Sequence, residues 1–424
     1  MVLFTAVMLL LILLNVPIAF AIGMTSLGYL LALGTVPLAI IPQRLVGGID
    51  SFVLLAIPFF ILAAQLMNTA GITRRIFDFA DAIVGHIRGG LGHVNVVGSM
   101  IFAGMSGSAV SDAAGLGLIE IEEMERAGYD REFSAAITAA SATIGPIIPP
   151  SIPMVVYGAA AQVSVGRLFA AGIIPGILMG ITLMIAVYII ALRRDFPVHP
   201  GISFKRIART SKDAFLPLLT PVILIGGVLS GVFTPTESAV IAVIYAFFLG
   251  FFVYKEITLQ DIPKLLQDTI VSTAVVMLIF GVVSVFGWII TREQIPQLFA
   301  KFIVSVTTSQ LGILSLIMLF LLFVGCFMNP SAAIVVLVPI FKPLIDSAGI
   351  DPVYFGLLMV LNLMIGLLTP PVAQILFVVS NIAKIPFARM CYVVIPFIIP
   401  ILATLVLLIL FPSLVMFMPN LIFG

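Results

Sequence analysis

Apolar stretches long enough to cross a lipid bilayer follow one another through almost the whole chain. The hydrocarbon core of a bilayer is roughly 30 Å thick and takes roughly 20 apolar helical residues. Of the 424 residues, 62% are hydrophobic and 9% are charged, which leaves too little polar surface for a soluble domain of this length. The sequence therefore predicts an all-α polytopic membrane protein.

The apolar stretches divide into ten predicted spans and two longer blocks. The blocks, 91–122 and 309–345, are too long for one helix, and each has small or helix-breaking residues in its middle, at 106–108 and at 329–331. We expect both blocks to be re-entrant hairpins. The ten spans, within a few residues, are 2–22, 24–42, 51–69, 132–162, 168–192, 214–233, 237–254, 270–290, 353–382 and 390–418.

The distribution of basic residues indicates how these segments are oriented. If the N-terminus lies outside and each hairpin returns to its side of entry, five basic residues lie outside and the other 15 of the 20 are cytoplasmic. The positive-inside rule requires this asymmetry, and treating either hairpin as a simple span would remove it. The net charge of +1 gives no sign of a nucleic-acid partner. The five outside are Arg44, Arg167, Arg292, Lys301 and Lys342.

The chain contains an internal repeat. A shift of 221 residues pairs Ala-Gly-Tyr-Asp at 127–130 with Ala-Gly-Ile-Asp at 348–351. The same shift pairs the double proline at 149–150 with the double proline at 370–371. The equivalent hairpins enter from opposite faces, so the halves have inverted topology, as in secondary transporters with alternating access. We therefore divide the chain into a first repeat, 1–195, a cytoplasmic connector, 196–213, and a second repeat, 214–424.

Each half also contains a span interrupted by a glycine and a double proline. Gly145 precedes Pro149-Pro150, and Gly366 precedes Pro370-Pro371. Proline removes a backbone N–H and clashes with the carbonyl four residues earlier, so carbonyl oxygens are freed at membrane depth. A hard cation suits such oxygens, and helix N-termini facing the same cavity favour an anion. A simple kink in each helix is the alternative, but the match between the halves favours binding.

We expect the hairpin tips and the broken helices to bind coupling ions and solute together. Sodium is preferred over protons, because hydroxyls, amides and carbonyls do not titrate near neutral pH. The predicted sodium ligands are Ser106, Ser108 and Gly145 for one ion, and Asn329, Gly366 and Thr369 for a second. The predicted solute-binding residues are Ser106, Ser108, Asn329, Pro150 and Pro371.

Three further residues are candidates with an ordinary structural alternative. Asp112 lies inside the first hairpin, and an acid at membrane depth is a functional candidate, yet the repeat pairs it with Ala333. Glu237 begins a span and is either a functional acid or an N-terminal cap. Arg44 either guides an anion or a docking partner, or is a plain interfacial arginine.

Several motifs, in the same order, resemble those of one transporter family. They are Asp-Ser-Phe at 50–52, Leu-Ala-Ile-Pro-Phe-Phe at 55–60, Gly-Met-Ser-Gly-Ser-Ala-Val at 104–110, the segment 145–153, and Phe-Thr-Pro-Thr-Glu at 233–237. The chain thus resembles the large membrane subunit of tripartite ATP-independent periplasmic (TRAP) transporters over essentially its whole length. At the second tip, residues 328–330 are Met-Asn-Pro and do not repeat the Ser-Gly-Ser sequence of the first tip.

The resemblance implies a function and partners. It implies a sodium-coupled importer of a small carboxylate in the bacterial inner membrane, with a transport domain that moves like an elevator against a scaffold. Its implied partners are a small four-helix membrane subunit, expected here as a separate chain, and a periplasmic solute-binding protein. Dicarboxylates, sugar acids, sialic acid and keto acids all remain candidate solutes.

Two other functions compete with transport by this mechanism. The sequence Gly-Met-Ser-Gly at 104–107 fits an intramembrane serine protease, but the nearest histidine, His93, lies 13 residues earlier, roughly 20 Å along a helix. A passive channel would need a continuous polar pore, whereas the polar residues cluster at two tips. The sequence has neither a P-loop nor an H-E-x-x-H motif. We therefore expect no enzymatic activity.

Overall fold

The described part of the chain is helical throughout. A computed structural model describes residues 4, 7–8, 10–11, 14, 16–194, 196, 201 and 203–424. Within these residues the helices are joined by loops, turns and short 3-10 or π segments, and no strand occurs. The all-α fold class is therefore confirmed.

The first half contains nine of the helices in the described residues, numbered here in chain order. They are α1 (Ile18–Leu33), α2 (Ile40–Ile49), α3 (Ala56–Thr69), α4 (Ile72–Val84), α5 (Gly90–Ser106), α6 (Ala109–Arg126), α7 (Arg131–Ser141), α8 (Ile152–Ala161) and α9 (Val165–Arg193).

The second half continues the numbering. Its helices are α10 (Phe204–Leu229), α11 (Pro235–Phe248), α12 (Ile262–Arg292), α13 (Ile295–Val306), α14 (Gln310–Gly325), α15 (Pro330–Ser347), α16 (Pro352–Gly366), α17 (Gln374–Ala383), α18 (Phe387–Val393), α19 (Ile395–Leu410) and α20 (Ser413–Phe423).

The length and apolarity of these helices fit a multi-pass membrane protein. Six helical segments among the described residues are long and apolar enough to cross a membrane, and nine are if each of three bent helix pairs counts as one span. The bent pairs are α13 with α14 at 119°, α17 with α18 at 110°, and α19 with α20 at 63°. The predicted total of ten spans stays a prediction.

One predicted boundary is wrong, and one predicted span lies partly outside the described residues. The division between spans at Gly23 does not exist, because α1 runs through Gly23, which packs against Val282. Helix α10 begins at Phe204, capped by the Ser203 hydroxyl, and so runs through the predicted connector, whose limits stay a prediction. Lysine and arginine are good helix formers, so the basic stretch continues the helix. Much of span 2–22 and of the connector before 203 falls on residues that are not described.

Both predicted hairpin blocks are helix–loop–helix segments with antiparallel arms. In the first hairpin, the Asn95 amide on α5 meets Met124 on α6. In the second, Phe320 and Phe341 on α14 and α15 have ring centroids 6.0 Å apart. The tips therefore lie at Gly107–Ser108 and near 326–329. Re-entrance of these hairpins into a membrane stays a prediction.

The helices pack as two groups. One group, here called the frame, contains α1–α3 and α10–α12, which contact one another extensively. The other, here called the hairpin body, contains both hairpins, both broken helices and α9, α18, α19 and α20. The halves of the chain interlock within the hairpin body, where α8 packs on α15 and α6 packs on α17. This interlocking brings the two tips toward one shared space.

Candidate functional site

The first broken helix loses its regular hydrogen bonding over about ten residues. Helix α7 ends at Ser141 and passes through a 3-10 turn before α8 begins at Ile152. The Ser151 hydroxyl donates to the Pro146 carbonyl at 2.5 Å and accepts from the Met154 N–H at 3.2 Å. Within the break, the Pro149-Pro150 peptide is cis.

The second broken helix repeats this architecture. Helix α16 ends at Gly366 and α17 begins at Gln374. The Pro370-Pro371 peptide is also cis, at the position that the 221-residue shift assigns to it. The Thr369 hydroxyl donates to the Ile365 carbonyl at 2.8 Å, which leaves its oxygen lone pairs available to a ligand.

Backbone hydrogen bonds join each hairpin tip to the broken helix of its own half. The Gly107 carbonyl accepts from the Ile152 N–H at 3.2 Å, and the Cys326 carbonyl accepts from the Val372 N–H at 3.2 Å. Glycines permit the close approach. A β-carbon on Gly107 would lie 2.7 Å from the Pro150 carbonyl oxygen, and one on Gly366 would overlap the backbone of Gly325. The tips and breaks are therefore packed as units.

The first predicted cation site gains a carboxylate in the structure. Asp112 is 1% exposed and accepts a hydrogen bond from the Ser106 hydroxyl. Its other carboxylate oxygen has no hydrogen-bond partner among the described residues and lies against Gly145, where no β-carbon would fit. Ser106, Asp112 and Gly145 thus come together. Ser108 lies beside them as the N-cap of α6, where its hydroxyl accepts from the Ser111 N–H at 3.4 Å.

The second predicted cation site has a different arrangement of side chains. The Asn329 amide donates to the Gln374 side-chain oxygen at 3.2 Å, while its own oxygen accepts from the Ser331 N–H at 3.0 Å. Gly366 packs against Gly325, and the Thr369 hydroxyl, within the break, donates back to the Ile365 carbonyl near the end of α16. Sequence reasoning missed Gln374, because the repeat pairs it with Pro153, which offers no polar signal.

A cavity of about 510 Å³ lies between the two tips and the frame. Ser106, Ser108 and Asn329 line it as predicted, whereas Pro150 and Pro371 are not among its lining residues. The frame contributes Gln65 from α3 and Ser272 from α12. Both frame residues are polar side chains inside predicted apolar spans. A polar residue in an apolar span is visible in the sequence and could have identified them as candidates. The other polar lining side chains are Ser111, Ser331 and Gln374.

The electrostatics of this cavity favour an anion. Four helices begin at its wall: α6 at Ala109, α8 at Ile152, α15 at Pro330 and α17 at Gln374. Helix N-termini carry unsatisfied N–H groups and a partial positive charge of roughly half an elementary charge. None of the described lining residues is charged, although Asp112, in the first turn of α6, lies behind the wall beside Ser106. Hydroxyl and amide groups between the helix N-termini can orient a carboxylate.

Two other predicted residues lie away from the cavity wall. Glu237 forms a capping box with Thr234, in which its carboxylate accepts from the Thr234 N–H at 2.8 Å. These are the contacts of an N-terminal helix cap, which is the structural alternative given above for Glu237. Arg44 is exposed on α2, a helix without a buried residue.

A second cavity, of about 580 Å³, is lined by equal numbers of acidic and basic side chains. Arg75 pairs with Glu256 at 3.2 Å and stacks on Tyr254. Burial raises the pKa of Asp78 in this cavity. The formal charges cancel, so this space favours neither anions nor cations. Its charged lining residues are Arg74, Arg75, Lys212, Asp78, Asp213 and Glu256.

Comparisons with known proteins agree with the motifs and the fold. The sialic acid TRAP transporter large permease protein SiaM of Vibrio cholerae is 46% identical over 410 residues, covering 97% of this chain and 96% of that protein. The C4-dicarboxylate TRAP transporter large permease protein DctM of Pseudomonas aeruginosa is 41% identical over 371 residues, covering 88% and 87%.

A solved structure shares the fold. The crystal structure of the Alcanivorax borkumensis YdaH transporter, described as having an unusual topology, superposes with a TM-score of 0.62 at 14% identity and covers 88% of this chain and 87% of that one. The family model for the DctM component of the tripartite ATP-independent periplasmic transporter matches residues 5–414. The chain therefore belongs to this family of transporter membrane subunits, as its motifs predict.

Proposed function

We propose that this chain carries a small carboxylate solute into a bacterial cell, driven by a sodium gradient across the inner membrane. The observation that supports this most directly is the cavity of about 510 Å³, where four helix N-termini meet without a charged lining side chain. Such a wall suits an anion, and the oxygen-rich tips beside it suit hard cations. Binding the two together is how a symporter couples their movement.

The solute class is supported by the cavity and by the relatives. Relatives at 46% and 41% identity are named for sialic acid and for C4-dicarboxylates, and both solutes carry a carboxylate. The cavity also presents serine hydroxyls and the amides of Asn329 and Gln374, which suit the hydroxyl groups of a sugar acid. Sialic acid is therefore the first solute to test.

Two sodium sites are proposed, one at each tip. The first comprises Ser106, Ser108 and backbone oxygens near Gly145, with the carboxylate of Asp112 supplying negative charge. The second comprises Asn329, Thr369 and backbone oxygens near Gly366. These residues fit a hard monovalent cation because their donors are oxygens.

Movement and partners complete the proposal. We place the transport step in the hairpin body, which would move against the frame and carry the cavity from one side to the other. A small four-helix membrane subunit and a periplasmic solute-binding protein would act with the chain. The exposed apolar surface of α2 is available to a membrane partner or to lipid.

A protease function is not supported by the geometry. Ser106 donates to Asp112, and His93 contacts the Arg88 carbonyl at 3.2 Å at the opposite end of α5. A serine nucleophile needs a base within hydrogen-bond reach of its hydroxyl. The relatives are also named as transporter permeases.

The proposal is tested by uptake of labelled sialic acid into proteoliposomes containing this chain, its small partner and the binding protein. Sodium and proton gradients are imposed separately. Uptake should require the sodium gradient, and Ser108→Ala and Thr369→Ala should each raise the sodium concentration for half-maximal uptake several-fold. Uptake driven by protons alone, or unchanged sodium dependence in both variants, would contradict the proposed coupling.

Matched controls separate sodium binding from loss of local structure. Ser203→Ala removes a helix cap with the same 3.4 Å contact as Ser108, a loss that costs about 1 kcal/mol at either position. Thr291→Ala removes the same type of hydroxyl bond, to the carbonyl four residues earlier, as Thr369→Ala. Both controls should leave the sodium dependence unchanged.

A further inference from the structure

A second buried acid lies in the first hairpin, two turns beyond Asp112 along α6. Glu120 is 1% exposed, and neither of its carboxylate oxygens has a hydrogen-bond partner among the described residues. A buried polar group without a partner is costly, and an unpaired ionised carboxylate far more so. Such a group therefore indicates a missing ligand.

A network of oxygen-bearing side chains on α5 and α7 lies beside this carboxylate. The Ser99 hydroxyl and the Ser141 hydroxyl are 3.0 Å apart, and the Ser141 hydroxyl donates to the Asn95 side-chain oxygen at 2.6 Å. The Asn95 amide in turn donates to the Thr138 hydroxyl at 2.6 Å. Thr138 faces Glu120 across the contact between α6 and α7. All four side chains are buried.

A glycine leaves space beside the carboxylate. Gly98 lies on α5, between Asn95 and Ser99, and a β-carbon there would stand 3.4 Å from one carboxylate oxygen of Glu120. Asn95, Gly98 and Ser99 share one face of α5, so no side chain at position 98 separates that face from the Glu120 carboxylate. Hydroxyl, amide and carboxylate oxygens without nitrogen or sulfur donors are a ligand set for a hard cation.

We propose that Glu120, Thr138, Ser99 and neighbouring oxygens bind a sodium ion, separate from the sites at the two tips. One carboxylate among neutral oxygens balances one positive charge, which favours a monovalent over a divalent ion in a buried position. Eight residues separate Glu120 from Asp112, roughly 12 Å along the helix. Its assignment as a coupling ion rests on the proposed function; the binding itself does not.

The experiment counts the sodium ions that bind. The purified full chain with its small partner in nanodiscs is titrated with ²²Na⁺, with choline chloride keeping the ionic strength constant. We expect Glu120→Gln to bind one sodium ion fewer than the wild type. Glu123→Gln, which changes a partly exposed acid paired with Arg126 on the same helix, should keep the wild-type number.

A second variant covers the case in which Glu120→Gln fails to fold. Gly98→Ala keeps the charge and adds a methyl group at ordinary contact distance, within the space assigned to the ion. This variant should fold, and its affinity for one sodium ion should be lower than that of the wild type by tenfold or more. If wild-type protein binds sodium and both variants keep its number and affinity, the Glu120 site is overturned while the tip sites stand. If wild-type protein binds no sodium, sodium coupling fails as well.

Discussion

A carboxylate at position 112 changes what the first tip can hold. Neutral oxygens alone would have to compensate the full charge of a dehydrated cation in a buried place, whereas Asp112 supplies a negative charge against Gly145. The Ser106 hydroxyl donates to one carboxylate oxygen and leaves the other available. The two proposed ion sites therefore differ in chemistry despite the shared backbone.

Asp112→Asn should weaken sodium binding at the first tip by tenfold or more. The amide has nearly the same shape but lacks the charge, so the hairpin should stay folded while the first tip's share of the sodium-dependent thermal stabilisation is lost. Melting temperatures measured against sodium concentration check this. Asp346→Asn, at an acid half-exposed beside Lys342, is the control and should behave as the wild type. An unchanged sodium titration for Asp112→Asn would remove the acid from the site.

For individual residues, the sequence predicted where the backbone is interrupted better than it predicted which side chains meet there. Ser106, Ser108 and Asn329 stand beside the glycine or proline that begins or ends a helix at each tip, and this local signal is visible in the sequence. Asp112 was left open because its repeat partner is an alanine, and the inverted copy cannot show a contact made in one half only. Glu120 stands among other acids at the end of α6, and only packing distinguishes the one that faces inward.

The broken helices show which elements a sequence can specify. Both breaks depend on local chemistry, a glycine and two prolines, so they fall where the sequence predicts. The bend of 119° between α13 and α14 depends instead on how the two helices pack, which no local motif specifies. The same is true of α1, where Gly23 was read as a boundary although a helix accepts it when a neighbour packs closely.

Gly366→Ala should separate the second tip from its broken helix. The added methyl group would overlap the backbone of Gly325, which cannot move as a flexible side chain can. We expect a loss of about 1–3 kcal/mol in stability, the range for overpacking, together with loss of solute uptake. Thermal unfolding in detergent and uptake in proteoliposomes measure the two effects.

Gly226→Ala is the matched control. It lies inside α10, where a β-carbon would meet nothing within 4 Å, so it should unfold no earlier than the wild type. Equal melting temperatures for the Gly366 and Gly226 variants would mean that the close contact does not hold the tip.

The frame and the hairpin body meet at contacts that movement would have to break. The Asn68 amide on α3 donates to the Ser111 hydroxyl on α6 at 3.3 Å, beside the cavity. The Thr182 and Thr404 hydroxyls, 2.9 Å apart, both belong to the hairpin body instead. The sequence predicted the repeat and hence two equivalent halves, but which helices pack together follows from side-chain fit along their whole lengths.

Cross-linking the frame to the hairpin body should stop transport. In a background without Cys326 and Cys391, cysteines at 68 and 111 should form a disulfide under mild oxidation, because the two side chains already touch. Uptake should then fall to background and return when reductant is added. Uptake of labelled solute before and after oxidation measures this.

The pair at 182 and 404 is the corresponding control. A disulfide there joins helices that move together, so uptake should continue after oxidation. Full uptake by the oxidised 68–111 pair would show that the frame and the hairpin body do not move past each other at this contact.

The four helix N-termini that face the cavity all belong to the hairpin body. The attraction that they offer an anion would therefore travel with the solute and be equally strong at the inner and the outer opening. The proposed direction of transport would then be set by the sodium gradient and by the binding protein outside, and not by the electrostatics of the cavity.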